Sequence, residues 1–565
     1  MNGLRASYVL RRLTPLSICV CLIAAQTRGD DRLDRAADAI DGAGLLEHIK
    51  TLASDEFEGR EPASPGEEKT IAYLVEQCRA LGLKPGNPDG TYLQSVPLVR
   101  TSPKITGSIA VGGKSIALDS SARWVPVSRY ENKTITDSDV VFVGYGVVAP
   151  EYGWDDYKGL DTKGKTLVML VGDPPVPDPN DPAKLDASLF KGRAMTYYGR
   201  WTYKYEIAAE KGAAAILLIH ETGPAGYPFE VVQGSWGRDG FDVATPAAAP
   251  PRAGVEAWIS QETTKDLLSA AGLDYENLKR QAISRDFRPI PLNAKFSAQV
   301  SNTLASAPSR NVVALLPGSD PKLKDEFIIF TAHWDHLGRD TTRQGDQIFN
   351  GAADNASGVA MLLEIAQAAA KLDPAPKRSL LFLFVTAEEK GLLGAKYYAQ
   401  NPLYPLAKTV ANINMDVINL WGKTSDVSSV GLGQTTLDDL LAEIAAAHGR
   451  SIGPDTEPEK GMYYRSDHFE FAKVGVPALN AKGGTTFVGK PDDYGKQKRD
   501  EYTKNDYHKP SDDVKPDWDL GGAVEDARLL LEVALRVADA PAWPEWKPTS
   551  EFRARREAML KYSSH

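Results

Sequence analysis

Residues 327–336 have the sequence FIIFTAHWDH, in which an apolar run is followed at once by two histidines and an aspartate. Further strand-like runs lie at 311–316, 380–385 and 409–415, and helical patterns lie at 355–371 and 391–399. Strands that alternate with helices favour a parallel sheet covered on both faces. We therefore predict an α/β fold with a mostly parallel central sheet.

Polar residues follow the predicted strands directly, and ligands bind beyond these strand ends in parallel sheets. His333 and Asp335 lie two positions apart, so their side chains point to the same face if the extended conformation continues. A metal-bound imidazole usually has its other nitrogen held by a carboxylate, and Asp335 could hold His333 in this way. Taken alone the pair is weak evidence, because a His-Asp pair after a strand is more often a local hydrogen bond.

Asp354 stands before the helical pattern 355–371 and has two interpretations. It could be the N-cap of that helix, with a side chain that accepts from free backbone amides. However, the residues at 351–353 and 356–358 are all small, which leaves room for an ion beside the carboxylate. These neighbours favour an ion bridged by Asp354.

Three more acids follow two other predicted strands. Glu388 and Glu389 come after the apolar run 380–385, and Asp416 follows the run 410–415. Two adjacent Glu residues on a helix usually lie on its solvent-exposed face. At the end of a buried strand, one Glu can bind a metal while the other takes a proton from the water that the metal activates.

A further histidine ligand has two candidates. His468 begins a predicted helix in the string SDH, and His508 lies in a loop within the string NDYHKPSD. Four other histidines lack acidic or strand-end neighbours, namely His48, His220, His448 and His565. Spacing alone does not choose between the two candidates.

Residues 305–540 resemble the co-catalytic zinc aminopeptidase family, whose relatives include glutamate carboxypeptidases and the transferrin receptor, which has lost the metal sites. The resemblance implies a zinc exopeptidase fold and two Zn²⁺ per chain. It implies these ligands: His333 and Asp416 on one ion, Glu389 and His508 on the other, and Asp354 bridging both.

The same resemblance assigns further roles. Glu388 would be the general base, and the family's Tyr-His-x-x-x-Asp string matches Tyr507, His508 and Asp512, which favours His508 over His468. Tyr463 and Tyr507 occupy positions where relatives place a phenol that hydrogen-bonds the developing oxyanion. Either tyrosine could equally be an aromatic wall.

Residues 126–300 have a different sequence pattern, with short β-rich runs between long loops that contain Pro and Gly. The strings GYG at 144–146 and DYKGLD at 156–161 resemble the protease-associated domain inserted in several exported peptidases. Another small β-rich insertion is the alternative. The predicted division is a signal peptide 1–28, an N-terminal catalytic part 29–125, the insertion 126–300, the catalytic domain 301–545 and a C-terminal tail 546–565.

The first 28 residues predict export to the periplasm or the cell exterior. Arg5, Arg11 and Arg12 precede an apolar stretch at 16–25 that ends in small residues, which is the pattern of a signal peptide. The Arg11-Arg12 pair raises a twin-arginine route as an alternative. No later segment has the roughly 20 apolar residues of a membrane helix, so we expect no integral membrane segment in the mature chain.

Charge and composition limit the partners of this chain of 565 residues. The net charge is −10 and no Lys/Arg stripe is present, which argues against a nucleic-acid partner. We predict an exported aminopeptidase that acts on peptides, with a carboxypeptidase or dipeptidase of the same family as the alternative. Two rivals remain: a receptor-like binding protein without metal, and a metallo-β-lactamase-like hydrolase, for which Thr331 stands where that pattern needs a histidine.

Overall fold

The computed structural model of the protein describes residues 31–236, 239–244, 252–453, 455 and 457–563, so the predicted signal peptide lies outside the described residues. None of the helices in these ranges is long and apolar enough to cross a lipid bilayer. The α-helices of these ranges are Asp31–Ala37, Gly42–Leu52, Pro65–Ala80, Trp201–Glu210, Thr222–Ala225, Phe229–Ser235, Gln261–Ala270, Tyr275–Ala282, Ser357–Ala370, Leu393–Gln400, Thr436–Ala447, His468–Lys473, Tyr494–Asn505, Gly521–Asp539 and Arg553–Ser563.

The larger sheet confirms the predicted α/β fold. Its strands, in spatial order, are Lys84–Pro85, Ser309–Leu316, Ser379–Val385, Phe327–His333, Thr409–Asn414, Ala478–Gly483, Asp426–Ser429 and Ser451–Gly453, with Leu93–Val96 beside Ser309–Leu316. The four central strands, from Ser379–Val385 to Ala478–Gly483, run parallel. Their outer neighbours, Ser309–Leu316 and Asp426–Ser429, are antiparallel to them, so the sheet is parallel at its centre and mixed at its margins.

Alternate residues of the central strands enter two different cores. Ile328 and Phe330 pack with the helices Ser357–Ala370 and Gly521–Asp539 on one face. Ile329 packs on the other face, with the helix Leu393–Gln400. Successive strand side chains point to opposite faces, and a parallel sheet is covered on both, so the strand sequences are apolar throughout rather than alternating.

A second sheet forms a separate body with its own cores. Its strands, in spatial order, are Lys114–Leu118, Ile105–Val111, Ile290–Ser301, Asn132–Phe142, Thr166–Leu170, Ala215–Ile219, Val255–Ile259 and Trp124–Val127. The first two strands form a hairpin that turns at Gly112 and Gly113, and Ile105–Val111 pairs antiparallel with Ile290–Ser301. The boundary predicted at residue 126 therefore divides this sheet, because the hairpin ahead of it pairs with the far end of the insertion.

Three smaller sheets complete the strands of the described residues. They are Gly240–Val243 with Leu98–Ser102 and Thr303–Ser306, Val148–Ala149 with Trp154–Asp155, and Gly338–Arg339 with Ile348–Phe349. The predicted C-terminal tail begins with buried aromatic residues, since Trp546 and Phe552 pack with Tyr463 in one apolar cluster. This part of the tail is thus integrated into the catalytic half.

Candidate metal centre

The carboxyl ends of the central parallel strands bring the predicted site residues together. His333 is the last residue of the strand Phe327–His333, and it pairs in register with Val385, three residues ahead of Glu388. Asp416 follows the next strand, Thr409–Asn414. Because neighbouring parallel strands end at the same edge of the sheet, residues distant in sequence meet there.

A first group of ligand-type atoms surrounds His333. Its Nε2 lies 3.4 Å from Oδ1 of Asp354, 3.5 Å from Oδ1 of Asp416 and 3.9 Å from Oε2 of Glu388. One ligand-type atom from each of His333, Asp354 and Asp416 lies within 4.8 Å of the others. Three elements of the fold therefore converge on a volume of the size of one cation site.

A second group lies on the other side of Asp354. Nε2 of His508 is 3.2 Å from Oδ2 of Asp354 and 3.1 Å from Oε2 of Glu389. Asp354 thus turns one carboxylate oxygen to His333 and the other to His508. This arrangement can bridge two cations, which is the arrangement expected of a two-metal site.

His336 also belongs to the second group, although no role was predicted for it from the sequence. Its Nδ1 lies 2.7 Å from Oε1 of Glu389, the oxygen that His508 does not approach. His336, Asp354 and Glu389 form a set of ligand-type atoms within 4.8 Å of one another. The signal in the sequence was its place three residues after His333, directly beyond Asp335.

Asp354 does not cap the helix that follows it. The helix Ser357–Ala370 begins after Ala356, which provides no side-chain cap. Instead, Oδ1 of Asn355 accepts from the amide of Gly358 at 2.9 Å and from the amide of Val417 at 3.1 Å. Since Asn355 supplies this hydrogen bond, the carboxylate of Asp354 stays directed into the site.

Asp335 connects the two strand ends. Its carboxylate accepts from the amides of Glu388, at 3.0 Å, and Glu389, at 3.4 Å. The closest hydrogen-bond partner of Nδ1 of His333 is the main-chain carbonyl of Asp335, at 3.2 Å, while the carboxylate oxygen lies 3.8 Å away. Asp335 therefore orients the Glu388-Glu389 turn as well as His333.

The structure places His508, and not His468, beside Asp354 and Glu389. His468 is fully buried and packs edge-on against the ring of Tyr463, with ring centroids 4.7 Å apart. Burial lowers the pKa of His468 to about 3, so its imidazole is neutral at physiological pH. Nδ1 of His468 lies 3.5 Å from the side-chain amide of Asn480, whereas Nε2 of His508 lies beside two carboxylates.

The two predicted tyrosines occupy different surroundings. The ring of Tyr507 stacks on that of His508, with centroids 3.9 Å apart, and 43% of the residue is exposed. Tyr463 is buried, and its hydroxyl has no hydrogen-bond partner among the described residues. Burial and then the negative charges of Asp354 and Glu389 raise the pKa of Tyr507.

The carboxylates of the site have no neutralising Lys or Arg among the described residues in contact with them. Arg60 is fully buried nearby, but its guanidinium donates to the main-chain carbonyls of Trp334, Leu52, Asn350 and Gly351. Lys482 likewise donates to the carbonyls of Asp416 and Val417. Clustered buried carboxylates require positive charge, so this arrangement favours cations as the missing partners.

The pKa values of the site residues reflect the same excess of negative charge. Burial would lower the pKa of His333, but Glu388, Asp354 and Asp416 raise it well above its ordinary value. Burial raises the pKa of Glu388, and Glu389, Asp416 and Asp467 raise it further, although His333 lowers it. Nε2 of His336 lacks a hydrogen-bond partner among the described residues, whereas Nε2 of His508 faces the carboxylates of Asp354 and Glu389. Imidazole nitrogens and carboxylate oxygens in this number are the donor set that Zn²⁺ takes in proteins, so the residues fit zinc.

A sequence profile of peptidase family M28 matches residues 311–531, which include every predicted metal ligand. Leupeptin-inactivating enzyme 1 of Streptomyces exfoliatus is 30% identical over 254 residues, which cover 43% of this chain and 52% of that protein. Aminopeptidase NAALADL1 of Mus musculus is 32% identical over 162 residues, which cover 28% of this chain and 20% of that protein. The chain spans about half the length of the Streptomyces relative.

Among solved structures, the aminopeptidase from Aneurinibacillus sp. strain AM-1 is similar, with a TM-score of 0.49 and 19% identity. The alignment covers 92% of this chain and 98% of that one. A zinc aminopeptidase from Bacillus subtilis aligns over 91% and 97% of the two chains, with a TM-score of 0.42 and 16% identity.

Proposed function

Because residues 311–531 form a domain of peptidase family M28, we propose that this chain is an exported exopeptidase that depends on two Zn²⁺ and removes amino-terminal residues from peptides. The observation that carries the proposal is the position of Asp354, with one oxygen towards His333 and the other towards His508. A carboxylate shared in this way is suited to two cations a few ångströms apart.

The proposed ligands divide between two sites. His333 and Asp416 would hold one ion, Glu389 and His508 the other, and Asp354 would bridge them. When bound, the pair of ions would polarise the scissile carbonyl and lower the pKa of a water molecule near them. The family's preference for zinc and the mixed nitrogen and oxygen donors support zinc over magnesium or calcium.

Glu388 is the proposed general base. It lies 3.9 Å from Nε2 of His333 but belongs to neither set of clustered ligand atoms, so its carboxylate is available for proton transfer. It would accept a proton from the attacking water and pass that proton to the leaving amine. Asp335, which accepts from the amide of Glu388, would fix the main chain that presents this carboxylate.

His336 is a proposed positioning residue for Glu389. The contact of Nδ1 with Oε1 leaves Oε2 of Glu389 directed towards His508. A donor on one carboxylate oxygen limits the other to a single metal bond and fixes its direction, as hydrogen-bond partners of metal ligands generally do. Tyr507, stacked on His508, would shield His508 from solvent and face the oxyanion.

The central test is metal analysis followed by product analysis. Purified wild-type protein should contain about two Zn²⁺ per chain by mass spectrometry of the metals. A mixed peptide library should lose amino-terminal residues, and a chelator should stop the reaction. The variant Asp354→Asn should lose zinc and activity, whereas Asp439→Asn, at an exposed acid on the helix Thr436–Ala447, should retain both.

Three results would decide against parts of this proposal. Loss of residues from the carboxyl end would replace the aminopeptidase by a carboxypeptidase. Protein without stoichiometric zinc and without turnover would favour a receptor-like binding protein. Export is tested separately by sequencing the amino terminus of protein secreted from cells, where an intact Met1 would reject the predicted signal peptide.

A further inference from the structure

The chain between His333 and Asp354 leaves the edge of the central sheet and returns to it. Residues 334–338 form the outgoing arm of this connection, and residues 349–353 form the returning arm. The two arms pair with each other in a short antiparallel ladder. The position of Asp354 relative to His333 therefore depends on how the two arms are held.

Gly59 brings an amino-terminal segment of the chain against both arms. Its φ angle is 68°, and an added Cβ atom would lie 2.4 Å from the carbonyl oxygen of Gly338 and 2.6 Å from that of Phe349. Only a residue without a side chain permits this conformation together with so close an approach. The segment thus packs directly on the main chain of the two arms.

The guanidinium group of Arg60 joins the two arms. Its Nε donates to the carbonyl of Trp334 at 2.9 Å, and its terminal nitrogens donate to the carbonyls of Asn350 at 2.6 Å and Gly351 at 2.9 Å. A fourth bond, to the carbonyl of Leu52 at 2.6 Å, ties the group to the preceding helix. Four of the five N–H donors of the guanidinium are therefore bound to main-chain acceptors.

The main chain of Arg60 makes a second contact with the outgoing arm. Its carbonyl accepts from the amide of His336 at 3.3 Å. Trp334 and His336 lie on either side of Asp335, so both neighbours of this residue bond to Arg60. The outgoing arm is therefore fixed at two points.

The returning arm is held between Arg60 and Asp512. The carboxylate of Asp512 accepts from the amides of Ala353 at 3.0 Å and Asp354 at 3.1 Å. Arg60 binds the carbonyls of residues 350–351, so consecutive parts of the arm are fixed from two sides. Little freedom remains for Asp354, which turns one oxygen to each of two histidines.

Among the described residues Arg60 forms no ion pair, although it is only 1% exposed. Burial lowers its pKa to about 10, while the charges of Asp512, Asp335 and Asp354 raise it, so the guanidinium is charged at neutral pH. Desolvation of a charge that is bound to neutral carbonyls costs free energy. Stability alone therefore gives no reason for an arginine here, whereas a planar group that reaches both arms at once does.

We propose that Arg60 is a positioning residue of the metal centre, which holds the arm that leads to Asp354 in a fixed place against the arm that follows His333. The inference rests on the proposed two-zinc centre and concerns a residue that shapes this centre from outside it. The strands of the sheet place His333 and Asp416, whereas Asp354 depends on the returning arm. Loss of Arg60 should therefore release Asp354 more than the other ligands.

The zinc affinity of the folded protein tests this role. R60K keeps the charge but lacks the planar fork that spans both arms, and R60M removes the charge and the donors. We expect both variants to bind zinc about 10- to 100-fold more weakly than the wild type, as measured by competition with a fluorescent chelator. Wild-type affinity in R60K would show that the charge acts rather than the geometry, which would overturn the positioning role.

Leu74→Ala is the matched control for general loss of stability. Leu74 is fully buried on the helix Pro65–Ala80, and its truncation leaves a cavity that destabilises the fold. Zinc affinity measured where a variant is folded does not change when only global stability falls, so Leu74→Ala should keep the wild-type value. Urea denaturation of the zinc-free proteins shows where each one is folded. An equal loss of affinity in Leu74→Ala would reduce Arg60 to a structural role.

Hydrogen exchange of the zinc-free protein tests the returning arm without metal. The amides of residues 352–354 donate to Asp512, and in R60K and R60M they should exchange at least about tenfold faster relative to those of the strand Ser379–Val385. The strand serves as the internal reference because its hydrogen bonds depend on the sheet. A global loss of stability would not change this ratio selectively.

Asn350→Ala keeps Arg60 and weakens the same attachment at a second place. The side-chain amide of Asn350 donates to the carbonyl of Ala53 at 2.7 Å and to Oδ1 of Asp55 at 2.8 Å, so it holds the returning arm against the segment that carries Arg60. Its removal should weaken zinc binding by about tenfold. This variant decides the question if the substitutions of Arg60 unfold the chain, and wild-type affinity in it would then overturn the proposal.

Unchanged zinc affinity in both Arg60 variants, or unchanged exchange of residues 352–354, would also overturn the positioning role. These results leave the proposed peptidase intact, since the wild type still binds zinc and hydrolyses peptides. Failure of the proposed function gives a different result, in which the wild type binds no zinc while the exchange data still show that Arg60 holds the returning arm.

Discussion

Nδ1 of His336 lies 2.7 Å from Oε1 of Glu389, so this carboxylate is held between two imidazoles, because His508 approaches its other oxygen at 3.1 Å. Burial lowers the pKa of His336, although Glu389 raises it, and the imidazole is therefore neutral and able to donate from Nδ1. His336 and His508 thus approach different oxygens of Glu389. Because His336 occupies Oε1, Oε2 of Glu389 is the oxygen that remains available to another partner, and its direction is fixed.

The first prediction concerns this contact. His336→Leu should weaken zinc binding by about 10- to 100-fold, because removal of a hydrogen-bond partner of a ligand leaves that ligand free to rotate. His336→Asn should recover most of the affinity, since its side-chain amide can donate from nearly the position of Nδ1. Competition with a fluorescent chelator measures the affinity. His448→Leu, at an exposed histidine paired with Glu532, serves as the control. Equal zinc affinities for the Leu and Asn variants would reject the positioning role.

The second prediction separates proton transfer from metal binding. Glu388→Gln should keep the zinc content of the wild type and lower kcat by about 10²- to 10⁴-fold, the usual contribution of a general base. Metal analysis and steady-state kinetics on the same preparation measure both quantities. Glu443→Gln, at an exposed acid that pairs with Arg536, should change neither. Retained turnover would show that another group accepts the proton.

The third prediction tests the loop that presents Asp354. A Cβ atom at Gly358 would lie 2.3 Å from Oδ1 of Asn355 and 2.7 Å from the carbonyl of Met415. Gly358→Ala should therefore displace Asn355, which borders Asp354. We expect it to lower the free energy of unfolding by about 1–3 kcal/mol and also to lower the zinc content. Chemical denaturation and metal analysis measure the two effects. Gly234→Ala is the control, since nothing lies within 4 Å of its added Cβ. Full zinc content in Gly358→Ala would contradict the expectation.

The fourth prediction concerns pH. Glu364 is buried on the helix Ser357–Ala370, and burial raises its pKa to about 7. A folded state with a raised carboxyl pKa binds the proton more tightly than the unfolded chain. The resulting stability is fully present below the ordinary pKa of about 4.5 and is lost as pH rises through about 7.

Glu364→Gln keeps a neutral side chain at every pH, so it should be more stable than the wild type by roughly 3 kcal/mol at pH 8, and the difference should vanish below pH 4. Thermal or urea denaturation across this pH range measures the difference. The substitution Glu557→Gln, at an exposed acid on the last helix, should show no such trend. A constant difference between Glu364→Gln and the wild type at all pH values would disprove the assignment.

The fold could be predicted because its central strands are buried on both faces. Apolar runs such as 380–385 admit no solvent-facing residue, and the alternation of such runs with helical patterns is typical of a parallel sheet. The antiparallel margins could not be predicted in the same way, because strand direction at an edge depends on where the chain returns. The hairpin at 105–118 therefore falls ahead of the predicted insertion, although its partner strand lies at 290–301.

The residue types at the strand ends can be assigned from local sequence: His333 and Asp335, Glu388 and Glu389, and Asp416. A strand that must be buried ends where polar residues begin, so the position of these groups follows from local pattern alone. Which of these residues come into contact depends on the tertiary fold. The contacts of Asp354 with both His333 and His508, of His336 with Glu389, and of Asn355 with Gly358 depend on how separate strands and loops pack. Distances across the sheet edge are set by that packing and leave no trace in local sequence.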